Sequence, residues 1–201
     1  MKAPKTEKAR RTRERIVRES AQIFSVKGFF HTTVDDVLGR AGLTKGGFYA
    51  HFDSKEALAR AVLEHATTVW FEKVAADVAR HVDARKQLRA LADGYRRYAV
   101  DRTFEGGCLF VNLATELDDQ DEHLRALLDA AFGQFRAMVA TIVELGKAQG
   151  AFRADAPADA IGVAFVACLT GTMMQAKAAH DFGLFDRAIA VLDDLLRAYE
   201  T

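Results

Sequence analysis

Cysteine and proline are scarce in this 201-residue chain, with two of each. Cys108 and Cys168 are too few for a disulfide framework and fit a reducing cytoplasm. With only two prolines to interrupt it, the apolar pattern runs at helix spacing along most of the chain, which reads as all-helical. Serine is also rare, and Ser20, Ser25 and Ser54 sit too near the N-terminus to support a hydrolase triad. The six histidines are scattered, with no pair at metal-ligand spacing. No strand precedes a glycine-rich phosphate loop. Catalysis, a metal and a cofactor are therefore not expected. Met1 is followed by charged residues rather than an apolar core, so a secretory signal is not expected either. The most apolar run, Ala160 to Ala176, is short for a membrane span and contains Thr170, Thr172 and Gln175, so a buried helix is expected there. Net charge is lacking too, at 28 basic against 28 acidic residues, but its distribution is uneven. Residues 1–60 hold 13 Lys and Arg against 7 Asp and Glu, and the remainder holds 15 against 21. A basic head that seeks a polyanion, on a body that does not, fits this asymmetry.

What is present centres on Thr33 to Lys55, TVDDVLGRAGLTKGGFYAHFDSK. Val34, Val37, Leu38 and Ala41 fall at helix spacing, Gly42 suits a left-handed helix stop, and Thr44 suits the cap of a second short helix. Thr33 can cap the first, with Asp36 three residues on as an imperfect capping box. That layout is a helix-turn-helix, in which the second helix enters the DNA major groove. Its first turn then needs small or polar groups, and Thr44, Lys45, Gly46 and Gly47 supply them. Two glycines in a helix cost roughly 1 kcal/mol each relative to alanine; close backbone approach to DNA would justify them, although they could simply extend a turn. Arg, Asn and Gln are absent from Thr44 to Phe52, so bidentate base reading is not available there and discrimination would lean on Thr44, Lys45 and DNA shape.

The run from Ile16 to Leu58 resembles the N-terminal DNA-binding domain of the tetracycline-repressor (TetR) family of bacterial regulators. The matching features are Phe24, Lys27-Gly28-Phe29, Thr32-Thr33-Val34, Ala41 through Gly46, Phe48-Tyr49, His51-Phe52, Lys55-Glu56 and Leu58. The resemblance implies that Thr33, Thr44, Lys45, Gly46, Gly47, Phe48, Tyr49, His51 and Lys55 meet operator DNA. Phe52 and Phe24 read as core by helix spacing, and Phe48 as partly core. The family also implies a three-helix head over residues 1–53 and a helical effector-binding and dimerisation domain over residues 54–201, about nine helices in all. Its implied partners are double-stranded operator DNA, a small-molecule effector and a second copy of the chain joined through the last two helices. A membrane is not expected among its partners.

The remaining helices follow from periodicity. Residues 2–18, with eight basic residues, are either a solvated face or an arm that seeks phosphate. Helix 1 is expected from Lys8 to Lys27. Helix 4, capped by Asp53 or Ser54, should continue to about Val82, helix 5 should span Ala84 to Arg102, and helix 6 should begin near Cys108. Helix 7 should run from Glu122 to Gln149, helix 8 should follow Pro157, and helix 9 should run from Leu184 to Tyr199. The acidic group Asp118, Asp119, Asp121 and Glu122 reads as a loop or cap. Candidates for an effector cavity are Trp70, Tyr95, Tyr98, Cys108, Asn112, Glu116, Phe135, Met138, Phe165, Met173 and Lys177. Cys108, in the first turn of a helix, would meet the positive end of the dipole and could act as a thiol sensor in place of an effector, or be a small buried hydrophobe. Lys177 either snorkels to the surface or turns inward toward an acidic ligand, Glu116 or Cys108.

Overall fold

The computed structural model describes residues 6–116 and 121–201. Asp118, Asp119, Lys2 and Lys5 lie outside the described residues. Nine α-helices, and no strand, are found among those described: α1 Glu7–Lys27, α2 Val34–Ala41, α3 Lys45–Tyr49, α4 Lys55–Trp70, α5 Ala84–Val100, α6 Leu109–Glu116, α7 Glu122–Ala148, α8 Ala158–Ala179 and α9 Leu184–Arg197. They divide into two compact units. One comprises residues up to Val69 together with Arg102–Leu128, and the other comprises Trp70–Asp101 and Asp129–Thr201.

In the first unit, α1 buries Ile16, Val17, Ile23 and Phe24 and is closed by Gly28, whose φ is +82°. Phe24 meets Phe29 edge-on at 5.5 Å. Between α1 and α2, Thr33 and Asp36 form the full capping box: the Asp36 N–H donates to the Thr33 hydroxyl, and the Thr33 N–H donates to the Asp36 carboxylate. The Lys27 ammonium, 2.7 Å from Asp36, and the Thr33 donors together hold that carboxyl down at about 2. A depressed carboxylate contributes stability that is complete above its unfolded pKa of about 4 and is lost as pH falls. The stability difference between the native chain and Asp36→Asn should therefore be constant above about pH 5 and vanish toward pH 2, as read by urea denaturation across that range.

The second unit departs from expectation at the end of α4. A single helix to Val82 is not formed: α4 stops at Trp70, a π-helical turn occupies Phe71–Ala75, and a 3-10 turn occupies Val78–Arg80. The buried residues Leu58, Val62, Ala66, Trp70 and Val74 repeat every four positions. On an α-helix such a stripe drifts by roughly 40° per step, and the wider π turn offsets that drift over the last step, from Trp70 to Val74. The turn is seated against α5 at Gly94, where a Cβ would lie 3.0 Å from the Val74 carbonyl carbon and closer still to its oxygen. Around it Trp70 meets Phe135 edge-on at 4.6 Å, and Tyr95 stacks on Phe135 at 5.9 Å. Tyr98 and Phe185 flank Tyr95 at 6.0 and 6.1 Å.

α7 and α8 are long and apolar enough to cross a membrane by length and composition. α8 nevertheless packs as a helix of a folded core: Ile161, Phe165, Val166, Leu169 and Met173 are buried on one face. On its other face Val163 and Met174 are exposed.

Candidate nucleic-acid interface

The helix-turn-helix is α2, the Gly42 turn and α3. Gly42 takes the left-handed conformation, with φ +62° and ψ +46°, and its N–H and that of Leu43 both reach the Leu38 carbonyl. A Cβ there would be strained by the backbone alone, since no atom lies within 4 Å of it. Thr44 caps α3 by accepting the Gly47 N–H at 3.3 Å, which leaves its hydroxyl proton to donate outward.

α3 has only five residues, and its two sides differ sharply. Phe48 is fully buried, edge-on to Tyr49 and 5.9 Å from Phe52. Phe48 is therefore corrected from a DNA contact to the core residue that seats the helix. On the open side Thr44, Lys45 and Gly46 are exposed, and Tyr49 is 49% exposed. An added Cβ at Gly46 would meet nothing within 4 Å, and one at Gly47 would make only ordinary contacts with Thr44 and Leu43. Nothing among the described residues requires glycine at Gly46.

The Lys45 ammonium lies 3.4 Å from the Asp35 carboxylate across the turn, both well exposed. Nothing in the sequence marks Asp35 for this role, because a partner ten residues away on another helix leaves no local signal. Thr33 is exposed, but both its N–H and its hydroxyl are committed to Asp36, so a phosphate must compete with the capping box. His51 is half-buried, and burial, with Arg13 adding its positive charge, pushes the imidazole below its ordinary value. That shift favours the neutral imidazole, which offers one N–H. Arg13 itself lies 4.8 Å over the Phe52 ring, and Arg10 pairs with Glu7 and Glu14. From Glu7 onward, then, the basic run is a helix face. The Lys55 ammonium donates to the Phe29 and Thr32 carbonyls at 3.0 and 3.1 Å and covers the Phe29 ring, which leaves its third N–H for a phosphate.

The effector candidates separate. Trp70, Tyr95, Tyr98, Phe135, Phe165 and Met173 are buried in the second unit, and Met138 is half-buried there. Asn112 and Glu116 are corrected: they belong to the first unit, where their polar ends bind main-chain atoms of and just after α1. Cys108 is buried in that unit and precedes α6 rather than lying in its first turn. Lys177 is exposed, so the inward orientation is ruled out.

Two family models match the chain: "Bacterial regulatory proteins, tetR family" over residues 16–62, and "Tetracyclin repressor-like, C-terminal domain" over residues 84–192. Among solved structures, a TetR transcriptional regulator from Chloroflexus aurantiacus J-10-FL is 32% identical, with a TM-score of 0.92 over 97% of this chain and 98% of that one. The transcriptional repressor DhaR of Mycobacterium sp. (strain GP1) is 25% identical over 92% of this chain and 91% of that protein. The TetR-family regulator CifR, solved as a cysteine mutant with a 26-base-pair operator duplex, shares the fold at a TM-score of 0.77 and 22% identity, over 92% of this chain and 95% of that one. The chain belongs to the TetR family of bacterial transcriptional regulators. It is a DNA-binding regulator and not an enzyme.

Proposed function

We propose that the chain is a cytoplasmic, homodimeric repressor that holds a palindromic operator through two copies of α2 and α3 and releases it when a small-molecule effector binds. The observation that carries this reading is Gly46, a helical glycine with open space where its Cβ would be, ringed by exposed Thr44, Lys45 and Tyr49. Its need lies outside the chain, where a phosphate backbone can come close. Residues 1–53 read DNA in this scheme and residues 54–201 bind effector and dimerise, although part of the latter packs with the first unit. The two heads would occupy successive major grooves about 34 Å apart. The aromatic group of Trp70, Tyr95, Tyr98 and Phe135 is the proposed effector site. Val163 and Met174 on α8, with Val191 on α9, are the large apolar groups left open for a second copy. An effector acts only through its difference in affinity between operator-competent and operator-incompetent states.

Gly46→Ala separates folding from binding. Alanine should stabilise α3 by about 1 kcal/mol and raise the melting temperature. Affinity for a duplex selected from a random-sequence pool by the native protein should fall at least tenfold. An unchanged affinity would refute close backbone approach at this position.

A further inference from the structure

Residues 103–116 are joined to the second half of α1 by polar contacts, all inside the first unit. The Gln22 side chain donates to the Thr103 carbonyl at 3.2 Å and accepts from the Glu105 N–H at 2.8 Å. The Ser25 hydroxyl accepts from the Gly106 N–H at 3.0 Å. Asn112 donates to the Ser25 and Gly106 carbonyls at 2.7 and 2.9 Å. The band ends at Glu116, the last residue of α6, whose carboxylate accepts the Phe29 and Phe30 N–H groups, each at 2.6 Å.

That turn is also gripped from the carbonyl side. Lys55 donates to Phe29 and Thr32, so Phe29 gives its N–H to an α6 carboxylate and its C=O to an α4 ammonium. Gly28 leaves room for this arrangement: a Cβ there would lie 2.6 Å from Glu116 Oε1. The Glu116 side chain is 16% exposed, which strengthens bonds of this charge-assisted kind. The gripped residues, Phe29 to Thr32, lead directly into Thr33, the cap of α2.

We propose that Glu116 is a positioning residue for operator binding: held by its carboxylate, the Phe29–Phe30 turn fixes where α2 begins and so where α3 presents Thr44 and Lys45. The proposal rests on the DNA-binding reading above. It makes a prediction opposite in sign to simple charge. Removing a negative charge from a DNA-binding unit tightens DNA binding in general, whereas releasing the turn weakens it.

The experiment compares native protein, Glu116→Gln and Asn112→Ala on a duplex selected from a random-sequence pool by the native protein, at two salt concentrations. Hydrogen exchange of the peptide spanning residues 25–33 is followed in parallel. The expected result for Glu116→Gln is a 10- to 100-fold loss of affinity with an unchanged salt slope, and faster exchange at Phe29 and Phe30. Asn112→Ala, which loosens α6 but leaves both turn N–H groups held, should lose clearly less affinity. Equal losses in the two variants, tighter binding in Glu116→Gln, or unchanged exchange would each overturn the proposal. Should Glu116→Gln not fold, Glu116→Asp, which keeps the charge but withdraws it by one methylene, is read in the same two assays. Failure of the native protein to select any duplex would instead sink the DNA-binding reading, and the exchange measurement would still decide whether Glu116 holds the turn.

Discussion

Gly106→Ala should unfold the first unit at temperatures where the native chain is intact, lowering its melting transition by about 10 °C or more. A Cβ at Gly106 would overlap the Ser25 carbonyl oxygen and lie 2.8 Å from the Val26 nitrogen. The obstacle is α1 main chain, which cannot move by changing a rotamer. Overpacking costs typically 1–3 kcal/mol when side chains can yield; with backbone as the obstacle the cost should reach or exceed about 3 kcal/mol. A chain of this size loses roughly 2–4 °C per kcal/mol. Gly133→Ala is the matched control: in α7 an added Cβ finds only the end of Arg136, at 3.7 Å. That variant should gain up to about 1 kcal/mol from helix propensity alone. Calorimetry of the two variants beside the native chain decides the matter, and a native-like melting curve for Gly106→Ala would show that α1 and the segment before α6 are not packed as described.

The contrast between these glycines marks what a sequence can and cannot reveal. Gly42, Thr33 and Thr44 were legible because caps act on groups within three or four residues, so their chemistry is written locally. The end of α4 was not, because what seats its π turn is the missing Cβ of Gly94, some twenty residues on. Phe48 reads both as a DNA contact and as partly core, because five residues span little more than one turn, too few for periodicity to separate an inner face from an outer one. Glu116 and Asn112 read as part of the effector body because LFVNLATE states that α6 is amphipathic but not which helix it meets. Lys55 reads as a free cation until the carbonyls of Phe29 and Thr32 appear beside it, from residues more than twenty positions earlier. For the end of α4, for α6 and for Lys55 the determining contact is long-range.

Lys45→Ala should weaken operator binding by about a hundredfold or more and reduce the salt slope by roughly one unit per protomer. A dimer makes the contact twice, and two charge-assisted hydrogen bonds at about 1.5 kcal/mol each account for that factor. The size of the loss depends on Asp35. In the free protein its carboxylate sits 3.4 Å from the ammonium, in a pair exposed enough to contribute little to stability. DNA must draw Lys45 away from that partner, and the carboxylate left behind faces the polyanion. Asp35→Asn should accordingly bind more tightly than the native chain, with its folding stability scarcely changed. Combined with Lys45→Ala, it should recover only the part of the loss that comes from repulsion. Tyr49→Phe, which keeps the ring on Phe48 and removes the hydroxyl, tests the next contact along the same exposed face. Fluorescence anisotropy on a selected duplex over a range of salt concentrations measures all four. If Lys45→Ala left both affinity and slope at native values, the open side of α3 would not be the surface that meets phosphate.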